Sequence, residues 1–238
     1  MSDTPPLAGH SRELLVATRN AGKAAELRAL LAPAFARVLD LRDAGFPVDP
    51  AENEIEDGAT FEANALAKAR YFRARSEGRT VLADDSGLCV TALDGAPGVR
   101  SRRYAGAVGG EGVVSGANSR QLLRALEGVH DRSAEFVCAI AYVDGVDEVV
   151  TLGRTPGRIL DAAHGANGFG YDPVFWSDDL QQSFGAASDA AKADVSHRAR
   201  AVAALVAHLR SDPARRPTSP VPVDDVGRGS YTAPTSGA

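Results

Sequence analysis

Cysteine and large aromatic residues are scarce in this 238-residue chain, which has two cysteines and a single tryptophan. Cys89 and Cys138 each lie within an apolar run, LCV and FVCAIAY, so we expect both to be buried thiols. This argues against a disulfide framework and against a cysteine metal cluster. Free thiols are typical of a reducing compartment, and we expect a cytoplasmic location.

Long hydrophobic runs and an excess of basic residues are also missing. No apolar stretch approaches the roughly 20 residues that a membrane span needs, and the start MSDTPPLAGHSRE lacks the basic and apolar segments of a secretory signal. The net charge is −5, whereas a general nucleic-acid binder normally has a basic face. We therefore expect neither a membrane nor a nucleic-acid partner, although a few clustered cations and a divalent metal can still hold a phosphate-rich small molecule.

The two ends of the chain differ in composition from the middle. Residues 1–12 include Pro5, Pro6 and Gly9 without any periodicity, and residues 211–238 contain five prolines. Both are predicted to be disordered tails because they offer little apolar surface to bury. Residues 13–210 are predicted to form a single domain.

Apolar runs alternate with helical periodicities inside that domain. Asp144-Gly145 separates two apolar runs and predicts a β-hairpin. The strands are predicted at 13–18, 36–41, 80–84, 135–143 and 147–154, and the helices at 23–32, 59–75, 118–127 and from the N-cap Ser196 to about 209. An α/β sheet with one antiparallel extension follows.

The segment Thr18-Arg19-Asn20-Ala21-Gly22-Lys23 leaves a predicted strand and enters a predicted helix. Backbone N–H groups and the helix dipole favour a phosphate at such a helix start, and Lys23 adds a positive charge. It is not a Walker A loop, because the first glycine is missing and Ala24 stands where that loop has Ser or Thr. The plainer interpretation is an ordinary turn.

Asp84-Asp85-Ser86-Gly87 is predicted to form a tight turn at the carboxyl end of a buried strand, where α/β sheets bind ligands. Because neighbouring strand residues point to opposite sides, one carboxylate is expected to face a cleft and the other to lie behind it. An upstream acidic loop adds Glu52, Glu54, Glu56 and Asp57 as further oxygen ligands. The alternative is a set of solvated carboxylates.

Two later segments have the composition of a ligand pocket. Asn167–Pro173 alternates glycines with aromatics, which would let a planar ligand approach the backbone and stack on a ring. The alternative is that its aromatic rings fill the core. Lys192 and Ser196-His197-Arg198 collect cations near a helix N-terminus, where the dipole opposes them, and this indicates an intervening anion.

These segments, in this order, resemble the inosine/xanthosine triphosphate pyrophosphatase family from about Leu14 to Leu209. The family's T-G-N-x-x-K pattern corresponds to Thr18–Lys23. The further matches are E-x-G-x-T-F-x-x-N-A-x-x-K-A at 56–69, A-D-D-S-G-L at 83–88, G-A-P-G at 95–98, S-x-R-Y at 101–104, G-F-G-Y-D-P at 168–173, and Lys192 with S-H-R at 196–198. So many motifs in one order are not expected by chance.

The resemblance implies an elongated α/β fold, a mixed sheet with flanking helices, whose two lobes surround a nucleotide cleft, and a homodimer. It implies hydrolysis of ITP, dITP and XTP to monophosphate and pyrophosphate with Mg²⁺. Glu56 and Asp85 would bind the metal, and Asp85 would act as general base. Substrate binding is carried over to Thr18, Asn20, Lys23, Ser86, Phe169, Gly170, Tyr171, Asp172, Lys192, His197 and Arg198.

Two positions depart from the family pattern, since Arg19 and Ala199 stand where glycine is usual. The Arg19 side chain would either crowd the phosphate loop or add a phosphate contact. Two other functions compete with the one implied. A pyrophosphatase for other modified nucleotides on a related fold would prefer those triphosphates to ITP. A non-catalytic nucleotide-binding module would lack the acidic residues, yet Glu56, Asp84 and Asp85 are all present.

Overall fold

The structure is a computed structural model that describes residues 13–211, apart from the side chain of Asn53. The predicted tails lie outside the described residues, except that Ser211 is the last residue of a helix. Within residues 13–211, no helix has both the length and the apolar character that a membrane crossing requires.

Residues 13–211 form seven strands and five α-helices, and the sequence did not predict the last two short strands or the short helix that follows them. The strands are β1 (Glu13–Val16), β2 (Arg37–Asp40), β3 (Thr80–Val90), β4 (Ser133–Val143), β5 (Glu148–Ile159), β6 (Phe175–Ser177) and β7 (Gln182–Ser183). The helices are α1 (Ala21–Leu31), α2 (Phe61–Arg75), α3 (Glu111–Ala125), α4 (Asp189–Val195) and α5 (His197–Ser211). Short 3₁₀ helices occupy Pro50–Glu54, Thr91–Leu93, Gly98–Arg103 and Asp172–Val174.

The strands form one mixed sheet in the order β2-β1-β3-β4-β5-β6-β7. The pairs of β1 with β2 and with β3 are parallel, and the remaining pairs are antiparallel. The predicted hairpin joins β4 to β5, and Asp144 Oδ1 accepts the N–H groups of Val146 and Asp147 at 2.9 Å each. The predicted α/β class with an antiparallel extension is confirmed.

Among the described residues the core has three clusters, and strand alternation decides on which face of the sheet each residue packs. Leu82 packs with α1 and α5 on one face of the sheet, whereas Val81 and Ala83 pack with α2 on the other. Further along β3, Leu88 and Val90 join a third cluster with α3 and the chain around β6 and β7. The strands β3 and β4 therefore run through two separately packed ends of the molecule.

Several element boundaries differ from the prediction, and those of β3 and α3 have a clear physical cause. The Asp84–Gly87 turn was wrong, because β3 runs straight through it and stays paired with β4 as far as Val90. Gly87 is required for close approach: a Cβ there would lie 2.4 Å from the carbonyl oxygen of Gly98. Helix α3 begins seven residues before the predicted 118, because burial of Val114 and Leu122 outweighs the low helix propensity of its glycines.

Candidate functional site

The candidate site lies where β1 ends beside the longer β3. Register pairs β1 with β3 only as far as Val16 and Leu82, and the chain then turns away into α1. The next residues of β3, Asp84 and Asp85, therefore lie at an edge that no parallel strand covers. The sequence placed these carboxylates at the end of β3, but the strand that ends beside them is the neighbouring β1.

The predicted phosphate loop enters α1 through a side-chain cap. Asn20 is the N-cap, and its Oδ1 accepts the N–H of Lys23 at 2.9 Å. Thr18 Oγ1 accepts the N–H of Asn20 at 3.2 Å. These two side chains thus hold the loop in shape and direct the helix N-terminus, the position that favours an anion.

Asp84 is the centre of an ion cluster on the α1 and α5 side of the sheet. Its Oδ2 lies 2.9 Å from Lys23 Nζ, 3.5 Å from Arg198 Nε and 3.3 Å from the Ser86 hydroxyl. Burial disfavours ionisation, but Lys23, Arg198 and Lys68 outweigh it, and the pKa of Asp84 is lowered. Asp84 therefore stays a carboxylate, while its buried Oδ1 has no hydrogen-bond partner among the described residues.

Glu26 is a site residue that the sequence analysis missed. Its Oε1 lies 2.9 Å from Lys192 Nζ, and its Oε2 pairs with Arg198 Nη1. Burial opposes the charge on Glu26, but Arg198 and Lys192 prevail and lower its pKa. The clustered cations indicated a neighbouring anion, and the Glu26 carboxylate supplies part of that negative charge. Its spacing was the available signal, because Glu26 lies three residues after Lys23 on the same helix.

The pocket cations are fixed in direction as well as in charge. Lys192 Nζ donates to Asp172 Oδ2 at 2.7 Å, and the two side chains are 6% and 4% exposed. Arg198 is 1% exposed and its Nη2 donates to the Ser86 hydroxyl at 3.0 Å. Such buried charges are tolerated only with partners, so the pocket is preorganised before any ligand binds.

Asp85 points to the opposite face of the sheet, as strand alternation predicted. Its Oδ2 accepts the amide of Asn64 at 2.9 Å, and its Oδ1 accepts the N–H of Ser86 at 2.9 Å. Burial raises the pKa of Asp85, against the opposing effects of Lys23 and Lys68. It is therefore a better proton acceptor than an exposed aspartate.

Glu56, which precedes α2 in the chain, lies near enough to Asp85 to influence its charge. It is ion-paired with Lys68, which also donates to the carbonyl of Asp84. Asn64 and Lys68 belong to the 56–69 motif, but no role was predicted for either residue. Both are polar residues at helical spacing on the face where Phe61, Ala65 and Ala69 are buried, and this spacing was the missed signal.

The aromatic loop separates its two rings. Phe169 is half-buried, and Lys192 Nζ lies 4.9 Å from its ring centroid. Asp172 Oδ2 accepts the Phe169 N–H at 2.8 Å, and a Cβ at Gly22 would lie 2.8 Å from the ring. Tyr171, in contrast, is 4% exposed within the third core cluster, and its hydroxyl donates to the Ser101 carbonyl. The core-filling interpretation thus holds for Tyr171, whereas the Phe169 ring is half-buried beside the pocket cations. Gly170, between them, has a φ of +65°, which favours glycine.

His197 lies behind the cations. Its ring stacks on Phe136 with centroids 4.8 Å apart, and its Nδ1 has no hydrogen-bond partner among the described residues. Burial lowers its pKa well below the ordinary value, and Arg198 and Lys192 lower it further. His197 is therefore neutral at pH 7. Ser196 caps α5 as predicted, accepting the Ala199 N–H at 3.1 Å.

A divalent metal would have to share its ligands with a substrate. Within residues 13–211, no group of three or more His, Cys, Asp or Glu side chains has the arrangement of a metal site. Mg²⁺ commonly uses one or two protein carboxylates, with phosphate oxygens and water completing its coordination. Asp85 and the nearby Glu56 offer such hard oxygen donors on the α2 side of the sheet, and Asp84, with its unpartnered Oδ1, lies behind them. The residues present therefore fit a metal that arrives with a phosphate ligand.

Comparison with known proteins gives consistent matches over the described range. The model of the Ham1 family matches residues 14–208. A dITP/XTP pyrophosphatase of Ralstonia nicotianae is 45% identical over 202 residues, which are 84% of this chain and 97% of that protein. The structure of a HAM1 protein from Coxiella burnetii is 34% identical with a TM-score of 0.71, over 84% of this chain and 99% of that one. A nucleoside-triphosphatase / dITP/XTP pyrophosphatase from Mycobacterium abscessus is 40% identical with a TM-score of 0.61, over 81% and 98%.

Proposed function

This chain belongs to the Ham1 family, and we propose that it hydrolyses the non-standard purine nucleotides ITP, dITP and XTP to a nucleoside monophosphate and pyrophosphate. The observation that carries this proposal is the joining of three features at one uncovered strand edge: a capped helix start with Lys23, a pair of carboxylates facing opposite ways, and a half-buried ring beside buried cations. The helix start would hold the phosphates, the carboxylates would lie beside the hydrolytic water, and the ring with its buried cations would hold the base.

The reaction is a displacement at the α-phosphorus, with water as nucleophile and pyrophosphate as leaving group. Asp85 would accept the proton of the attacking water, and Asn64 and the Ser86 N–H orient the carboxylate for this role. Lys23 would stabilise negative charge on the phosphates, since its amine already lies in the cluster. No activated serine, cysteine or histidine is required.

Mg²⁺ is part of this proposal, with Glu56 and Asp85 as its protein ligands. When bound, it would offset the triphosphate charge, which carboxylates would otherwise repel. The pairing of Glu56 with Lys68 is consistent with a ligand that is kept in place until the metal and substrate arrive together.

Base choice is proposed to depend on donors directed into the pocket. Arg198 has five N–H groups, and three of them are used by Asp84, Glu26 and Ser86. The remaining N–H groups can serve a 6-oxo acceptor, as in hypoxanthine and xanthine, but cannot pair with the 6-amino group of adenine. Phe169 provides the stacking surface.

A homodimer in the cytoplasm is also proposed. The support for the compartment is that Cys89 and Cys138 are both free thiols, and the support for the dimer is the family resemblance. Gel filtration with light scattering would decide the oligomeric state.

A pyrophosphate-release panel tests the function. It would compare ITP, dITP, XTP, ATP, GTP and modified pyrimidine triphosphates, each with Mg²⁺ and with excess chelator. We expect pyrophosphate release from ITP, dITP and XTP when Mg²⁺ is present and no release when the chelator is in excess. Preferential release from modified pyrimidines would favour the competing pyrophosphatase, and binding without release would favour a nucleotide-binding module.

A further inference from the structure

Arg19 is the residue at which this chain departs from the family pattern in the phosphate loop. Its guanidinium turns away from the helix start and crosses to residues 46–52. It contacts both carboxylate oxygens of Glu52, from Nε at 3.0 Å and from Nη2 at 2.6 Å. It also donates to the carbonyls of Phe46 at 2.9 Å and Pro47 at 2.6 Å. We call this set of four contacts the Arg19 clasp.

The geometry of the clasp is specific for arginine. A planar guanidinium matches a carboxylate in a two-point contact, and a lysine cannot reproduce it. The hydrogen bond to Glu52 is the largest influence raising the pKa of Arg19, and the same bond lowers the pKa of Glu52. Both groups therefore stay charged across the working pH range.

Glu52 is held from a second direction. It belongs to a capping box in which its Oε1 accepts the Asp49 N–H at 3.3 Å, while Asp49 Oδ1 accepts the Ala51 N–H at 2.9 Å. The Tyr71 hydroxyl of α2 donates to Asp49 Oδ2 at 2.8 Å. Without Arg19, the 46–52 segment would keep its hydrogen bond to α2 but would lose the four contacts of the clasp with the phosphate loop.

The same segment leads directly to Glu56. Glu52 lies within the 3₁₀ helix Pro50–Glu54, and Glu56 follows shortly after the end of that helix. The Glu56 carbonyl accepts a hydrogen bond from Arg103 Nη2 at 3.1 Å. The position of the Glu56 carboxylate thus depends on the 46–52 segment through the chain, in addition to the direct contacts of Glu56 with Lys68 and Arg103. The clasp joins the loop that carries Lys23 to the loop that carries Glu56.

We propose that Arg19 is a positioning residue that fastens the 46–56 segment to the phosphate loop, so that Glu56 is in place before the nucleotide binds. This rests on the proposed function, since it assigns Glu56 a task in nucleotide binding. Arg19 does not itself contact the substrate under this proposal, which answers the question that the sequence left open.

The alternative is that Arg19 releases Glu52 and binds a phosphate when the nucleotide enters. The two roles predict opposite effects of removing Glu52. If Arg19 only positions, Arg19→Gly and Glu52→Gln have the same consequence and the double variant is no worse than either one. If Arg19 binds phosphate, freeing it by Glu52→Gln leaves nucleotide binding intact or strengthens it, whereas Arg19→Gly weakens it.

The experiment compares Arg19→Gly, Glu52→Gln, the double variant and Arg19→Lys. Arg70→Ala is the matched control, because Arg70 makes an equivalent two-point pair with Glu148 on the surface. Steady-state kinetics with ITP would give KM, kcat and the Mg²⁺ concentration for half-maximal rate. We expect Arg19→Gly and Glu52→Gln each to raise KM and the half-maximal Mg²⁺ concentration on the order of fivefold, the scale of a partly exposed ion pair, with a smaller effect on kcat and partial recovery in Arg19→Lys.

A second readout needs no turnover. Hydrogen exchange of the nucleotide-free protein should be faster at the amides of residues 46–57 in Arg19→Gly and Glu52→Gln, and unchanged there in Arg70→Ala. Wild-type exchange and kinetics in Arg19→Gly would overturn the inference, as would a KM raised by Arg19→Gly but not by Glu52→Gln. Failure of the wild-type protein to release pyrophosphate would instead refute the proposed function, and the exchange comparison would still decide whether the clasp holds the segment.

Discussion

The neutral, buried His197 makes protein stability depend on pH in a way that can be calculated. In the unfolded chain, a histidine binds a proton as the pH falls through about 6.5. In the folded chain, burial and the neighbouring Arg198 and Lys192 keep the ring neutral to much lower pH. The stability that this difference provides is complete above pH 6.5 and is lost progressively below it.

The size of the effect follows from proton linkage. Each pH unit over which only the unfolded chain carries the proton lowers the free energy of unfolding by about 1.4 kcal/mol. From pH 6.5 to pH 5 the loss attributable to His197 is therefore about 2 kcal/mol. His197→Phe keeps the aromatic stack on Phe136 and removes the titrating group, so this part of the pH dependence should disappear.

Urea unfolding of the wild type and of His197→Phe at pH 7 and pH 5 gives the four free energies required. The wild type should lose about 2 kcal/mol more than the variant between the two pH values. His208→Gln, an exposed position on the same helix, is the control and should follow the wild type. Parallel pH profiles for the wild type and His197→Phe would refute the reasoning, because they would mean that His197 takes up its proton in the folded protein.

Four further substitutions test the site. Asp85→Asn should lower kcat by at least about 100-fold at saturating Mg²⁺, and near-normal pyrophosphate release would remove Asp85 from the mechanism. Arg198→Ala should reduce kcat/KM for ITP far more than for ATP, and should lower the free energy of unfolding because Asp84 and Glu26 each lose one of their two cationic partners; equal losses on both substrates would contradict a role in base choice. Tyr171→Phe should lower the free energy of unfolding by about 1 kcal/mol and leave KM unchanged, whereas Phe169→Ala should raise KM for ITP. Denaturation and steady-state kinetics on both variants would test this. A raised KM for Tyr171→Phe would contradict the placement of Tyr171 in the core.

Local patterns predicted most elements because their cause is local. The apolar run of β1 and the Asp144-Gly145 turn predicted their strands, and the hydroxyl of Ser196 predicted the start of α5. Each of these signals depends on contacts within a few residues, so the sequence contains all the information they need.

The turn predicted at Asp84–Gly87 was wrong because the conformation there is decided by β4, which is remote in the sequence. Asp, Ser and Gly together are typical of a turn, yet β4 supplies hydrogen bonds along the whole of β3. The glycine serves the close approach of Gly98 and does not bend the chain. Tertiary pairing of this kind overrides local propensity.

The sequence by itself determined which residue types are available for the chemistry: the carboxylates, the cations and the ring in the order that identifies the family. Only the tertiary structure decided their partners. It directs Asp84 and Asp85 to opposite faces, seats Glu26 between Lys192 and Arg198, buries Tyr171 while leaving Phe169 half-exposed, and turns Arg19 toward Glu52. The physical reason is that ion pairing and burial depend on distances between segments far apart in the chain, and no local pattern contains those distances.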